Sequence, residues 1–207
     1  MKNRLNIRIK FSVLLVSMGL LVAFLPSREQ RLLKVKPDRL LSMLESEESW
    51  ISVDQVARFV VNEDPLVQII DLRPASDFMK MNIPGSVNIP FSEFAGRIPP
   101  GFTYAKNIKN ILYSDNETEA REAFIIARGM NYSNTLIMRG GLEEWTRTIM
   151  NSSFTGDRIS ARENALFETR TRARKMFTEF NSMPDSLRKQ YFASRQVARK
   201  KLDGGCE

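Results

Sequence analysis

Apolar positions along the chain fall into three regimes. From Phe11 to Pro26, FSVLLVSMGLLVAFLP, nearly every position is apolar and no charge interrupts the run. Between Ile51 and Met150 short apolar runs alternate with stretches of helical spacing, and from Arg158 to Lys201 apolar positions recur among many arginines and lysines. In the middle region Ser52-Val-Asp-Gln is a capping-box signature and predicts a helix running through Val61. Strands are expected over VQIIDL (67–72), SVNIP (86–90), NILY (110–113) and TLIM (135–138). Helices are expected over 75–81, 117–130 and 142–150. Strands separated by helices predict an α/β fold, a mainly parallel sheet with helices on both faces. Sites in such sheets form where strand ends meet helix starts, and Ser114 stands at such a junction.

The ends complete the expected organisation. A basic tail occupies 1–10, a transmembrane signal anchor 11–26, a linker helix 27–50, the α/β domain 51–151 and a basic helical extension 152–207. The apolar run from Ile9 to Pro26 would extend about 27 Å as a helix, slightly less than the ~30 Å hydrocarbon core, with Lys10 able to snorkel. A small-x-small cleavage pattern is poor after Ala23, so an uncleaved anchor is favoured over a cleaved signal or a helix buried in the domain. No cysteine stands directly after the run, which excludes a lipoprotein anchor. Arg28, Arg31, Lys34 and Lys36 nearly balance Lys2, Arg4, Arg8 and Lys10. A short N-terminal tail usually stays inside, so a single-pass protein of a bacterial cytoplasmic membrane is expected, its domain in the periplasm. In the linker helix Leu40, Leu41 and Leu44 share a face. In the extension Leu166, Ala173, Phe177 and Phe180 share another; Ser182-Met-Pro-Asp breaks the pattern, and Leu187, Tyr191 and Ala198 resume it. This extension is either a solvated helix pair packed on the domain or an arm for a membrane surface or partner.

Composition narrows the chemistry. The 207 residues carry a net charge of +7, concentrated at the two ends. Such tails favour acidic partners or anionic lipid, while no nucleic-acid module is visible, so nucleic acid is not an expected partner. The absence of histidine removes the usual general base and most zinc sites. One cysteine, Cys206, excludes an internal disulfide. No cofactor or metal is expected; three acids in the 114–119 loop are a thin case for a hard cation.

Two longer stretches carry a family resemblance. IIDLRPASDFMKMNIPGSVNIPFSEF resembles the first half of a rhodanese domain: a strand ending Asp-x-Arg (Asp71, Arg73), then IPG and a strand ending NIP. MRGGLEEW resembles the Gly-Gly-x-x-x-Trp end of that domain, so the likeness covers about 51–150. The resemblance implies a rhodanese-like parallel sheet. It also implies a sulfur site after the third strand, where a cysteine carries a persulfide in a loop of backbone N–H groups at a helix start. The family pattern is a cysteine, two residues, a glycine, one residue and an arginine. In register these fall on Ser114, Glu117 and Glu119, so the loop Ser114-Asp115-Asn116-Glu117-Thr118-Glu119 is a degenerate form of that site, with Asp71 and Arg73 beside it.

Each departure acts against sulfur transfer. A serine hydroxyl forms no persulfide, and without histidine it has no evident base. Glu117 in place of glycine hinders close backbone approach to an anion. Glu119 in place of arginine, near Asp115, turns an attracting field into a repelling one. Ser114 is expected to serve as a cap and loop residue, and no catalytic residue is assigned to the loop. The chain further resembles rhodanese-like envelope proteins that lack the loop cysteine and end in a basic tail with Gly-Gly-Cys, differing in Glu207 after Cys206. Two functions follow. The first is a membrane-anchored pseudo-sulfurtransferase that binds or scaffolds a partner, an envelope sulfur-compound transporter or a thiol carrier. The second is a sulfur carrier that uses the Cys206 thiol on the flexible Gly204-Gly205 hinge.

Overall fold

Side chains that alternate along each strand divide the sheet between two cores. The computed structural model describes residues 7–23, 34–94, 99, 102, 107–153 and 160–203. Its five strands, β1 (Trp50–Ile51), β2 (Val67–Asp71), β3 (Val87–Asn88), β4 (Lys109–Tyr113) and β5 (Thr135–Met138), are all parallel in the order β1-β5-β4-β2-β3. Val67, Ile69, Ile111, Tyr113 and Met138 point to one face, and Ile70, Leu112 and Ile137 to the other. The expected strand at 86–90 contracts to β3. Beyond Asn88 the chain leaves the ladder, although Ile89 N–H still bonds the Asp71 carbonyl at 2.9 Å.

Helices cover both faces. On the first lie α3 (Val53–Val61) and α6 (Gly141–Trp145), whose Val56, Val60, Leu142 and Trp145 are buried. The Ser52 capping box is formed: its hydroxyl accepts the Gln55 N–H while the Gln55 side chain accepts the Ser52 N–H. The helix expected over 142–150 is α6 followed by a single π-turn, Thr146–Met150. On the second face lies α5 (Thr118–Gly129), with Ala120, Ala123, Phe124 and Ala127 against Leu112 and Ile137. Beside it packs α2 (Pro37–Glu45). Here Leu40 and Leu44 are buried, whereas Leu41, expected on the same face, is 56% exposed. A four-residue spacing keeps 40 and 44 together and turns 41 away by about 100°.

The C-terminal extension is two helices, α7 (Ala161–Ser182) and α8 (Asp185–Asp203). α7 lies over α3 and α6: Ala173 and Phe177 join their core, and the Phe177 ring sits 6.1 Å from that of Trp145. Polar contacts pin it along its length. Arg170 pairs in two-pronged fashion with Asp54 at 2.7 and 2.8 Å, and Arg174 donates to the carbonyls of Met150 and Ser152. Asn181 exchanges two hydrogen bonds with the backbone of Asn82, both 2.9 Å. In α8 Leu187, expected to face inward, is 50% exposed, and its neighbour Arg188 is buried in its place.

The helix α1 (Ile7–Ala23) belongs to a separate unit, 1–31, while 32–207 form the other. α1 is apolar all round, with Phe11, Val13, Leu14, Leu15 and Val16 each about 60% exposed. The expected membrane-spanning segment over 11–26 lies partly outside the described residues; among those described no helix is long and apolar enough to cross a membrane. The 17 residues of α1 extend about 25 Å, short of the ~30 Å core, and they include Arg8 and Lys10 at one end. Positions 24–26 lie outside the described residues, as do 1–6 and the 204–207 end with Cys206.

Candidate functional site

Three neighbouring strands, β2, β4 and β5, deliver their C-terminal ends to one place, and their following segments form the candidate site. From β2 comes α4 (Ala75–Lys80) and, ahead of it, the buried pair Asp71 and Arg73. The guanidinium holds both Asp71 oxygens, with Nε–H at 3.0 Å from Oδ1 and an NH2 nitrogen at 2.7 Å from Oδ2. It also donates to the Met81 carbonyl at 2.6 Å and reaches Asp115 in the next loop at 3.3 Å. Asn88 supports this strand end through hydrogen bonds to the Asp71 and Arg73 carbonyls, 3.1 and 2.8 Å. Burial works against the charge on Arg73, but the hydrogen bonds and charge of Asp71 more than offset it, so its pKa is raised. Its donors are thus committed to a carboxylate pair and a carbonyl.

β4 ends in Tyr113, fully buried; its hydroxyl donates to Ser86 at 3.2 Å and accepts the Ile83 N–H at 3.3 Å. Ser114 follows, 4% exposed. The expectation that Ser114 caps the helix is corrected: the N-cap of α5 is Glu117, and the Asn116 side chain accepts the Thr118 N–H at 2.9 Å in a local turn. The Ser114 hydroxyl instead donates to the Glu119 carboxylate in a short hydrogen bond. Glu119, in the first turn of the helix, folds back over the residue that starts the loop. Glu117 is likewise taken up, accepting the Gly140 N–H at 2.7 Å.

β5 contributes the turn Arg139-Gly140-Gly141. Both glycines have positive φ, +69° and +58°. A Cβ on Gly141 would lie 2.6–2.8 Å from the carbonyls of Ser114, Asp115 and Asn116, so only glycine lets the two segments approach this closely. The approach is sealed by Leu142 N–H to the Ser114 carbonyl at 2.9 Å and Glu143 N–H to the Asp115 carbonyl at 3.0 Å. The structure therefore brings together Asp71, Arg73, Ser114, Asp115, Glu117 and Glu119. Thr118 opens α5 at the edge of the group, and Asn116 is exposed. The contributions of Asn88, Tyr113 and Gly141 were not read from the sequence, although the NIP and Gly-Gly motifs that contain Asn88 and Gly141 were in plain view.

The loop's Ser114 hydroxyl and one turn N–H are bonded to its own carboxylates, and its nearest cation is bonded to two acids. Among the described residues no group of His, Cys, Asp or Glu is arranged to hold a metal ion.

The middle of the chain is similar to known proteins. The Rhodanese-like domain family matches residues 52–148. Thiosulfate:glutathione sulfurtransferase of Saccharomyces cerevisiae is 29% identical over 106 residues, 45% of this chain and 75% of that protein. Among solved structures, the rhodanese-like domain of an Anabaena protein is 14% identical, covers 55% of this chain and 92% of its own, and has a TM-score of 0.42. A single-domain sulfurtransferase of Saccharomyces cerevisiae is 22% identical, covers 48% and 89%, and has a TM-score of 0.41. Residues 52–148 form a rhodanese-like domain.

Proposed function

We propose that this protein is a membrane-attached rhodanese-like module that has given up sulfur transfer at its loop and acts by binding a partner in sulfur or thiol trafficking. The observation that carries the reading is the pair of inward carboxylates. Glu119 takes the hydroxyl of Ser114, where the family's sulfur would be bonded, and Glu117 takes the N–H of Gly140. A thiosulfate arriving there meets Asp115, Glu117 and Glu119, while Arg73 is already paired. Ser114 itself forms no persulfide. The exposed apolar surface of α1 supports attachment to a membrane, since a helix apolar on every side needs a non-aqueous cover. Placement of the domain outside a bacterial cytoplasmic membrane rests on the short N-terminal tail, which usually stays inside, and spanning would need the helix to continue along the apolar run to Pro26.

Intact mass of the full chain in detergent, before and after polysulfide or thiosulfate, tests the reading, with Cys206→Ser alongside. An unmodified chain, or an adduct that passes to no second thiol, agrees with a binding module. A sulfur adduct that is absent in Cys206→Ser and moves to an acceptor thiol replaces the proposal with a sulfur carrier that uses its C-terminal thiol.

A further inference from the structure

A cleft of about 310 Å³ opens between α3 and α7, within the size range of small-molecule sites. α3 lines it with Arg58, Val61 and Asn62, positions one helical face apart by three and four. α7 lines the other wall with Ala165, Glu168, Thr169 and Arg172. Asp54 near the start of α3 meets Arg170 midway along α7. Arg58 and Arg172 therefore stand on different walls.

The two arginines are distinguished by having nothing to do. Arg170 and Arg174, near Arg172 on the same helix, are bonded to Asp54 and to backbone carbonyls. Among the described residues the side chains of Arg58 and Arg172 make no hydrogen bond or ion pair. Glu168 is the negative group of the cleft, one of its oxygens accepting from Asn164 at 3.2 Å. The Thr169 hydroxyl is committed to the Ala165 carbonyl at 2.8 Å. Val61 and Ala165 supply apolar surface between the charges.

A guanidinium fork pairs in two-pronged fashion with an acid group, and two forks on opposite walls fit a ligand that carries an acid group toward each. The Glu168 carboxylate would repel a simple diacid and favours a ligand that carries an ammonium as well. We propose that this cleft binds a small amino diacid. Its carboxylates pair with Arg58 and Arg172, its ammonium with Glu168, and its short aliphatic chain lies against Val61 and Ala165. The charges of ligand and cleft then cancel. This site is built from elements other than the degenerate loop and stands whether or not the loop transfers sulfur.

Titration calorimetry of the full chain in detergent, with L-glutamate as probe and succinate and sulfate as comparisons, tests the assignment. Glutamate is expected to bind saturably and more tightly than either comparison. Arg58→Gln and Arg172→Gln are each expected to weaken it at least about tenfold, the effect of losing a charge-assisted pair. Glu168→Gln is expected to abolish the preference for glutamate over succinate. All three are exposed side chains, and an unchanged melting temperature certifies the fold. Absence of saturable binding, equal binding of sulfate, or wild-type affinity in either arginine variant overturns the proposal.

Discussion

At Tyr113 burial raises the phenol pKa well above its ordinary value, and the neighbouring Asp71 charge pushes the same way. The folded protein therefore holds this proton more tightly than the unfolded chain does. The resulting stability is whole below the unfolded phenol pKa, near ~10, and declines as pH rises above it. A spectrophotometric titration should show fewer than the chain's four tyrosines ionising before the protein unfolds in alkali. Tyr113→Phe should flatten the alkaline loss while leaving that reversible part of the titration unchanged. Gly141 presents a steric case at the same scale. Gly141→Ala forces a side chain into positive φ, at a cost on the order of 1–3 kcal/mol, and also drives its Cβ into three carbonyls. Urea denaturation should show a loss at least that large; a loss below about 0.5 kcal/mol, ordinary for surface changes, would mean that the loops move apart freely. Glycine at 140 and 141 was visible in the sequence as a motif, but the object it accommodates was not. Neither was the turn of Glu119 onto Ser114, because side chains five positions apart in a loop follow no fixed period.

Elements with a strong period were legible. The strands at 67 and 135, the capped helix after Ser52 and the break at Met183-Pro184 all stand where hydrophobic spacing and cap chemistry put them. β1 has two residues and shows no alternation to read; its edge position next to β5 is a tertiary fact. Leu187 misled for a related reason. Near the start of a basic helix one leucine is weak evidence of which face turns inward, and Arg188 was buried there instead. α7 presents the most consequential element, since it lies beyond the family match yet fills the core beside Trp145. Phe177→Ala should cost about 3–5 kcal/mol, as for any large core aromatic. If chemical denaturation instead shows under about 1 kcal/mol, α7 is an appendage rather than part of the hydrophobic core.

For the whole molecule, the uneven partition of apolar surface leads to a prediction about location. The unit from 32 to 207 buries its large side chains in two cores, whereas α1 leaves its own exposed. The full chain should sediment with membranes and resist carbonate extraction, and a chain beginning at Leu32 should remain in the supernatant. A full-length protein found in the supernatant would remove membrane attachment from the proposal and leave α1 in need of a protein cover. The α/β class and the family were within reach of the sequence because motifs and strand order agree over its middle half. Function was less so, since it turns on which charges find one another in space.

The stitch between Gly141 and the loop after β4 has a consequence for protein design. The backbone of 114–116 is shaped from outside, by carbonyls gripped by Leu142 and Glu143 and a floor that admits no side chain. Much of its course is therefore set from outside the loop, beside the local turn that the Asn116 side chain makes within it. A mould of this kind can be refilled: new residues at 114, 117 and 119 would inherit the curve already cast for them, and a change of chemistry would not require a change of fold.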